Sequence, residues 1–324
     1  MKVGVLGTAD IAYRRFLPCL LKCDSFTYAG VASRTPEKGK PFQETFGGGI
    51  YDGYDALLAD ETIEAVYVPL PPALHFEWGR KVLESGKHLL MEKPFTTRLE
   101  DTARLLSLAK EKGLAVHENY MFLYHSQLAG IKEMISSGAL GEIRLFRMAF
   151  GFPKRAGDDF RYNKALGGGA LLDCGGYPVR LAMEMLGETA EVTQARLVQP
   201  AGYEVDLYGS AVLENKEGQC AQISFGMDNA YQCQLEVWGS KAMLTASRIF
   251  TAGADFPPQM VLRTAAGETP RALPADDQFL HSAERFLAAA ELPDVRERMY
   301  TDIYAQSVLI NQIQRRNTRD DSVQ

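Results

Sequence analysis

The sequence predicts an α/β protein: an N-terminal doubly wound parallel sheet, followed by a C-terminal α+β domain with a large, mostly antiparallel open sheet. Three observations carry this. Short apolar runs alternate with helix-length segments through the first 122 residues. After Asn119-Tyr120-Met121-Phe122 the helices thin out and strand-like runs follow one another. The chain of 324 residues is long enough for two ordinary cores, which places the domains at 1–122 and 123–324.

Lys2-Val3-Gly4-Val5-Leu6-Gly7 reads as a buried parallel strand that stops at a glycine. Ile11 to Lys22 is helix-like, Thr27 to Ala32 a second strand, and Pro36 to Phe46 helical. Ile63 to Val68 is the third clear strand, and Ala73 to Ser85 a helix with Gly86 as its C-cap. His88 to Met91 is a strand, Thr97 to Lys112 a helix ending before Gly113, and Leu114 to His117 another strand. Strands and helices alternating in this way imply βαβ units.

In the second half, Gln127 to Ser137 reads as a helix and Ile143 to Phe152 as a half-buried strand. Five further runs are strand-like: Glu191 to Val198, Leu207 to Leu213, Ala221 to Phe225, Gln232 to Trp238 and Ala242 to Ser247. They have no helices between them, so their sheet is expected to be largely antiparallel. Gln278 to Ala290 and Met299 to Gln314 close the chain as helices, and the charged tail after Arg315 is expected to fray. A sheet with one helical layer has a second face to cover, which makes a homo-oligomer through the C-terminal sheet the expectation. A monomer with helices on both faces would read the same.

Composition narrows the function. A net charge of −6 without a basic stripe argues against a nucleic-acid partner. The five cysteines form no CxxC pair and the histidines are scattered, so no metal site is expected. Sparse, odd-numbered thiols suit a reducing, cytoplasmic home. No signal peptide or bilayer-length apolar run is recognised, so no membrane association is expected.

The first turn, Gly7-Thr8-Ala9-Asp10-Ile11-Ala12, fits GxGxxG loosely, with alanine at two glycine positions. Its first glycine allows the tight turn, and its small residues admit a pyrophosphate to the helix N-terminus. Ser33 and Arg34 end the second strand, where a carboxylate would favour the ribose hydroxyl of NAD. A hydroxyl and a guanidinium instead suit a 2′-phosphate, so NADP is favoured, with NAD possible. Arg34 as a solvated or adenine-stacking charge is the competing reading. Pro69-Leu70-Pro71 stiffens a loop at the ligand edge of the sheet, and His75 either nears the ribose or nicotinamide or makes a structural contact.

Glu92-Lys93-Pro94 ends the strand His88 to Met91 at the same edge. Lys93 there can hold a substrate oxygen and stabilise developing negative charge, with Glu92 orienting it. Asp173 and Tyr177 stand four apart, on one face if the stretch is helical. A nearby ammonium favours a phenolate, which would let Tyr177 pass a proton to a carbonyl oxygen while Asp173 binds a substrate hydroxyl. A buried tyrosine beside an ordinary helix charge is the plainer alternative. Arg161 and the amides of Gly167 to Gly169 are candidates for a substrate anion, with a glycine hinge as the alternative.

The amino-terminal turn, Glu92-Lys93-Pro94, Glu118-Asn119-Tyr120-Met121-Phe122 and Gly167 through Pro178 together resemble the Gfo/Idh/MocA (glucose-fructose oxidoreductase) family over nearly the whole chain. The resemblance implies a Rossmann domain, an open α/β domain, NAD or NADP as cofactor, and Lys93 as an active-site residue. It also implies cofactor contacts near Gly7, Thr8, Ala9, Asp10, Ile11, Glu92, Lys93 and Asn119. Many members place histidine where this chain has Tyr177, which points to the branch with tyrosine as acid/base. Ala9 to Arg15, Tyr67 to Pro71, Arg161-Tyr162 with the glycine run, and Phe225-Gly226-Met227 are similar to the NADP-dependent dTDP-sugar 3-ketoreductases. That similarity implies reduction of a ketone on a nucleotide-linked sugar, with Lys93, Arg161, Asp173 and Tyr177 meeting the substrate. D-Xylose and dihydrodiol dehydrogenases share the main motifs and give the alternative, oxidation of a free sugar or diol. A non-catalytic NADP sensor needs neither Lys93 nor Tyr177.

Overall fold

Six strands form the sheet of the first unit: β1 (Lys2–Leu6), β2 (Thr27–Ser33), β3 (Gly49–Asp52), β4 (Ala65–Val68), β5 (His88–Met91) and β6 (Val116–Glu118). In this computed structural model, which describes residues 1–317, they lie in the order β3-β2-β1-β4-β5-β6. Every pairing among them is parallel. The order reverses between β1 and β4, which opens a crevice at their carboxyl ends.

Alternation along the strands builds two apolar layers. Val3, Val5, Val31, Tyr67 and Leu90 face one side, where Ala283 and Phe286 of the helix Gln278–Glu291 join them. Leu6, Val66, Val68, Leu89 and Met91 face the other, where Tyr300 and Ile303 of the helix Pro293–Arg316 join them. Burying a side chain of this size stabilises by about 1.5–3 kcal/mol. The chain therefore returns late to finish its first unit: Met1–Met121 is grouped with Phe279–Ser307, and Phe122–Gln278 with the chain from Val308. The first unit's opening stretch ends one residue from the expected boundary at 122, but neither unit is one continuous segment.

Several elements differ from the sequence reading. The edge strand β3 and the short helix Tyr54–Leu58 were not anticipated, because Gly47, Gly48 and Gly49 with a four-residue half-buried strand give almost no periodic signal. The first helix contains a π-type stretch at Ala12–Phe16 before the α-helical Leu17–Leu20. Pro18 has no N–H to give the carbonyl four residues back, and its ring crowds that carbonyl, so the ladder widens there. The tail expected to fray lies, from residue 318, outside the described residues.

The second unit holds eight strands: β7 (Ile143–Gly151), β8 (Glu191–Val198), β9 (Tyr208–Glu214), β10 (Cys220–Gly226), β11 (Gln232–Gly239), β12 (Met243–Ser247), β13 (Gln259–Thr264) and β14 (Gly267–Ala272). Their order is β14-β13-β12-β11-β7-β10-β9-β8. β7 and β10 pair in parallel at the centre, and the other neighbours are antiparallel. β13 and β14 escaped the sequence reading: β14 is exposed throughout and carries Pro270, so it lacks the alternation that marks a half-buried strand. The helix Gly176–Leu186 packs on β7 and β10. Gly175 permits that seat, since a Cβ there would stand 3.0 Å from the Phe225 ring.

Candidate active site

Every site motif that the sequence places in the first unit follows the carboxyl end of a strand. Gly7 to Ile11 follows β1, Ser33-Arg34 ends β2, Pro69-Leu70-Pro71 follows β4, Glu92-Lys93 follows β5, and Asn119 follows β6. Because these strands are parallel, all five segments share one edge of the sheet. Gly7 takes φ of 92° while its N–H donates to Ala32 O at 2.8 Å, and a Cβ on it would come within 2.7 Å of Leu70 Cδ2. The helix starts at once, with the Ala12 N–H donating to Ala9 O at 3.0 Å. Thr8, Ala9 and Ile11 stay partly exposed, and the exposed Asp10 pairs with Arg14 at 2.7 Å. The Ser33 hydroxyl accepts the Thr35 N–H at 3.1 Å, and Arg34 is exposed beside it. A tight small-residue turn, a helix N-terminus and a guanidinium at the end of β2 fit a dinucleotide with a phosphorylated ribose.

His75 is fully buried, with Nε2 at 2.7 Å from Leu70 O and Nδ1 at 2.7 Å from Pro94 O. Burial outweighs these hydrogen bonds and pushes its pKa down to about 4, so the ring is neutral and has one N–H to share between two carbonyls. The imidazole thus ties the Pro69–Pro71 loop to the residue after Lys93, which is the structural contact weighed from sequence.

At the end of β5, Glu92 Oε1 accepts two short hydrogen bonds, from the Tyr67 hydroxyl at 2.6 Å and from Asn119 Nδ2 at 2.7 Å. The Lys93 N–H reaches Glu92 Oε2 at 3.4 Å. The Lys93–Pro94 bond is cis, and the next amide, of Phe95, donates to Glu118 Oε1 at 2.7 Å. Tyr67 and Glu118 were missed as site residues. The available signal was their place at the ends of β4 and β6, flanking the strand that carries Lys93.

In the second unit, Asp173 lies in a π-type stretch, Leu171–Gly175, that continues into the helix Gly176–Leu186 bearing Tyr177. Pro178 widens this turn as Pro18 does the first. Tyr177 is buried among Phe122, Phe150 and Phe250, with ring centroids 5.9, 5.0 and 5.8 Å away. Asp173 Oδ2 accepts from Arg161 Nε at 2.9 Å, and Arg161 Nη1 donates to both Asp159 oxygens at 3.0 Å. Burial opposes the guanidinium charge, but the two carboxylates prevail and raise its pKa. Asp206 caps the helix: Oδ2 accepts the Leu171 N–H at 2.8 Å, and burial raises its pKa against these hydrogen bonds.

The anion site expected at the glycine run is not formed. The amides of Gly167, Gly168 and Gly169 donate to Lys164 O, Asn163 O and Arg161 O, so none is left for a phosphate. A hollow of about 470 Å³ lies instead on the other face of the sheet, where Ala149, Gly151, Ser224 and Gly226 alternate with the inward Phe150 and Phe225. No helix among the described residues is long and apolar enough to cross a membrane.

A doubly wound sheet with a glycine turn after β1, a lysine after β5 and a separate open-sheet unit defines a two-unit, nucleotide-binding oxidoreductase. Residues 1–120 match the model of an oxidoreductase family with an NAD-binding Rossmann fold, and residues 128–245 match the GFO/IDH/MocA C-terminal domain. The chain belongs to the Gfo/Idh/MocA oxidoreductase family. It is 43% identical over 290 residues to the dTDP-3,4-didehydro-2,6-dideoxy-alpha-D-glucose 3-reductase of Streptomyces violaceoruber, covering 89% of this chain and 85% of that protein. A 3-ketoreductase of Actinomadura kijaniata, solved with NADP and TDP-benzene, superposes with a TM-score of 0.94 at 39% identity, over 97% of each chain. That enzyme has also been solved with a tyrosine changed to phenylalanine and with a lysine changed to alanine. D-Xylose 1-dehydrogenase (NADP(+)) 2 of Haloferax volcanii is 29% identical over 293 residues, 90% of this chain and 89% of that one.

Proposed function

We propose that this protein is an NADPH-dependent 3-ketoreductase of a nucleotide-linked deoxy sugar. The observation that carries the reading is that this chain holds both a lysine, Lys93, and a tyrosine, Tyr177, at a matching sequence spacing. The substituted lysine and tyrosine of the Actinomadura enzyme stand as far apart in its sequence as these two do here. Gly7, Thr8, Ala9, Asp10 and Ile11 receive the pyrophosphate, and Ser33 and Arg34 the 2′-phosphate. Pro69, Leu70, Pro71, Glu92, Lys93 and Asn119 border the nicotinamide half, with His75 acting through the loop it ties.

When bound, NADPH supplies the hydride that reduces the carbonyl carbon. Lys93 holds the carbonyl oxygen by its ammonium and stabilises negative charge as it develops. Tyr177 gives its O–H proton to that oxygen, leaving a phenolate that regains a proton from solvent. Asp173, held by Arg161, accepts from a sugar hydroxyl and fixes which carbon is presented. The nucleotide is held by groups other than the glycine-run amides, which are already bonded.

A screen of NADPH oxidation against dTDP-linked keto sugars and free ketoses, with NADP reduction against aldoses, tests the assignment. Turnover confined to the dTDP-linked compounds is expected. Turnover confined to aldoses would replace it with the D-xylose dehydrogenase reading, which the Haloferax relative supports at lower identity.

The second sheet carries two exposed aromatic residues, Tyr208, which lines the hollow described above, and Trp238, 43% and 41% exposed. This supports a homo-oligomer joined through that face, to be read as a particle mass above the 35.8 kDa chain. The sparse, odd-numbered cysteines support a cytoplasmic home.

A further inference from the structure

The helix Gln278–Glu291 contributes more than apolar cover to the first sheet. It brings Ser282, 2% exposed, to Asn119, whose Oδ1 accepts the serine hydroxyl at 2.8 Å. His117 is fully buried, and its Nε2 lies 2.8 Å from the same Ser282 Oγ. The direction of each bond follows from Glu92. A carboxylate only accepts, so Asn119 turns its amide N–H toward Glu92 and its carbonyl toward Ser282. The single hydroxyl hydrogen of Ser282 is then committed to Asn119. Its oxygen can only accept from His117, which requires a proton on Nε2.

We infer that His117 and Ser282 are positioning residues, forming a polarised chain from His117 through Ser282 and Asn119 to Glu92. The inference rests on reading Lys93 as the group that holds the substrate oxygen. Without the serine hydroxyl, the Asn119 carbonyl loses its fixed partner, and the amide can rotate away from the Glu92 carboxylate. Glu92 would then keep only Tyr67 on that oxygen and could swing, carrying the neighbouring Lys93 off line. Displacements of about 1 Å at a reacting centre cost about 10²-fold in rate. Sequence gave no sign of this, because Ser282 is 163 residues from Asn119 and belongs to a helix that reads as ordinary amphipathic cover.

Two measurements decide the matter. Long-range ¹H–¹⁵N NMR of histidine-labelled wild-type protein, which needs no substrate, is expected to show His117 protonated at Nε2. An unprotonated Nε2 would overturn the chain. Ser282→Ala is expected to lower kcat about tenfold, while NADPH affinity by fluorescence titration stays within about twofold. The same change in a Glu92→Gln background is expected to add almost nothing, since both act through one carboxylate. Unchanged kcat, or losses that multiply, would reduce Ser282 to packing. Should Ser282→Ala fail to fold, His117→Gln and His117→Phe replace it: Gln restores a donor and most of the rate, and equal losses in both refute the role. If wild type reduces no keto sugar, the proposed activity fails, and the NMR result still judges the chain by itself.

Discussion

Arg161 holds Asp173 through Nε at 2.9 Å while its other arm is forked onto Asp159 at 3.0 Å. One guanidinium is thus divided between two carboxylates, and the cluster carries excess negative charge. Arg161→Ala would leave those carboxylates facing each other without a counter-ion. The expected result is a loss of about 2 kcal/mol in denaturant stability, discounted for partial exposure, and a kcat/KM at least tenfold lower. Arg161→Lys should recover part of the stability and little of the kcat/KM, because an ammonium cannot span both partners. Full activity in both variants would remove Asp173 from substrate binding.

Tyr177 packs against the rings of Phe122, Phe150 and Phe250, so Tyr177→Phe changes one oxygen and little packing. Turnover should fall by about 10²-fold or more with NADPH affinity retained. Lys93→Ala should cost at least as much. Stopped-flow measurement of a single turnover separates these losses from slow product release, and a normal hydride-transfer rate in Tyr177→Phe would end its acid role.

Cofactor choice should rest on Arg34, which is exposed at the end of β2. Arg34→Ala is expected to weaken NADPH about tenfold and NADH less than about twofold, from the loss of charge-assisted hydrogen bonds. Calorimetric titration of both cofactors checks this, and equal losses would assign the arginine to adenine or to neither.

His75 links stability to pH. Its pKa falls from 6.5 to about 4 on burial, so below pH 6.5 the unfolded chain takes up a proton that the folded one refuses. Its contribution is complete above pH 6.5 and is lost as pH falls toward 4, about 3 kcal/mol in all. Denaturation midpoints for wild type and His75→Gln should therefore converge over that interval and run parallel above it. Parallel behaviour throughout would mean that the imidazole is not buried in its neutral form.

The βαβ core was legible because its strands are continuous apolar runs between helices of ordinary length; four of the ligand-edge segments of the first unit were read from that pattern, and Asn119 from the family resemblance. β3, β13 and β14 were not, since a half-buried edge, a strand flanked by turns and an exposed hairpin arm each lack a two-residue rhythm. The glycine run was read for amides open to a substrate anion, with a hinge as the alternative, yet those amides donate to the carbonyls of Arg161, Asn163 and Lys164, which spacing alone does not foretell. Tyr67, Glu118, Asp206 and Ser282 escaped because their partners are distant in sequence. Only the topology shows that β4 and β6 flank the lysine strand, or that a late helix returns to it.

The late return of residues 279–307 has a consequence for biosynthesis. A ribosome releases every dinucleotide motif before it has made Phe286 and Tyr300, which close the two sides of that sheet. A nascent chain halted near residue 270 would expose Val5 and Leu90 on one side and Met91 on the other, a sticky intermediate and a poor nucleotide trap. Nucleotide capture thus has to await residues 279–307, and a chain cut short before them should precipitate instead of sequestering NADPH.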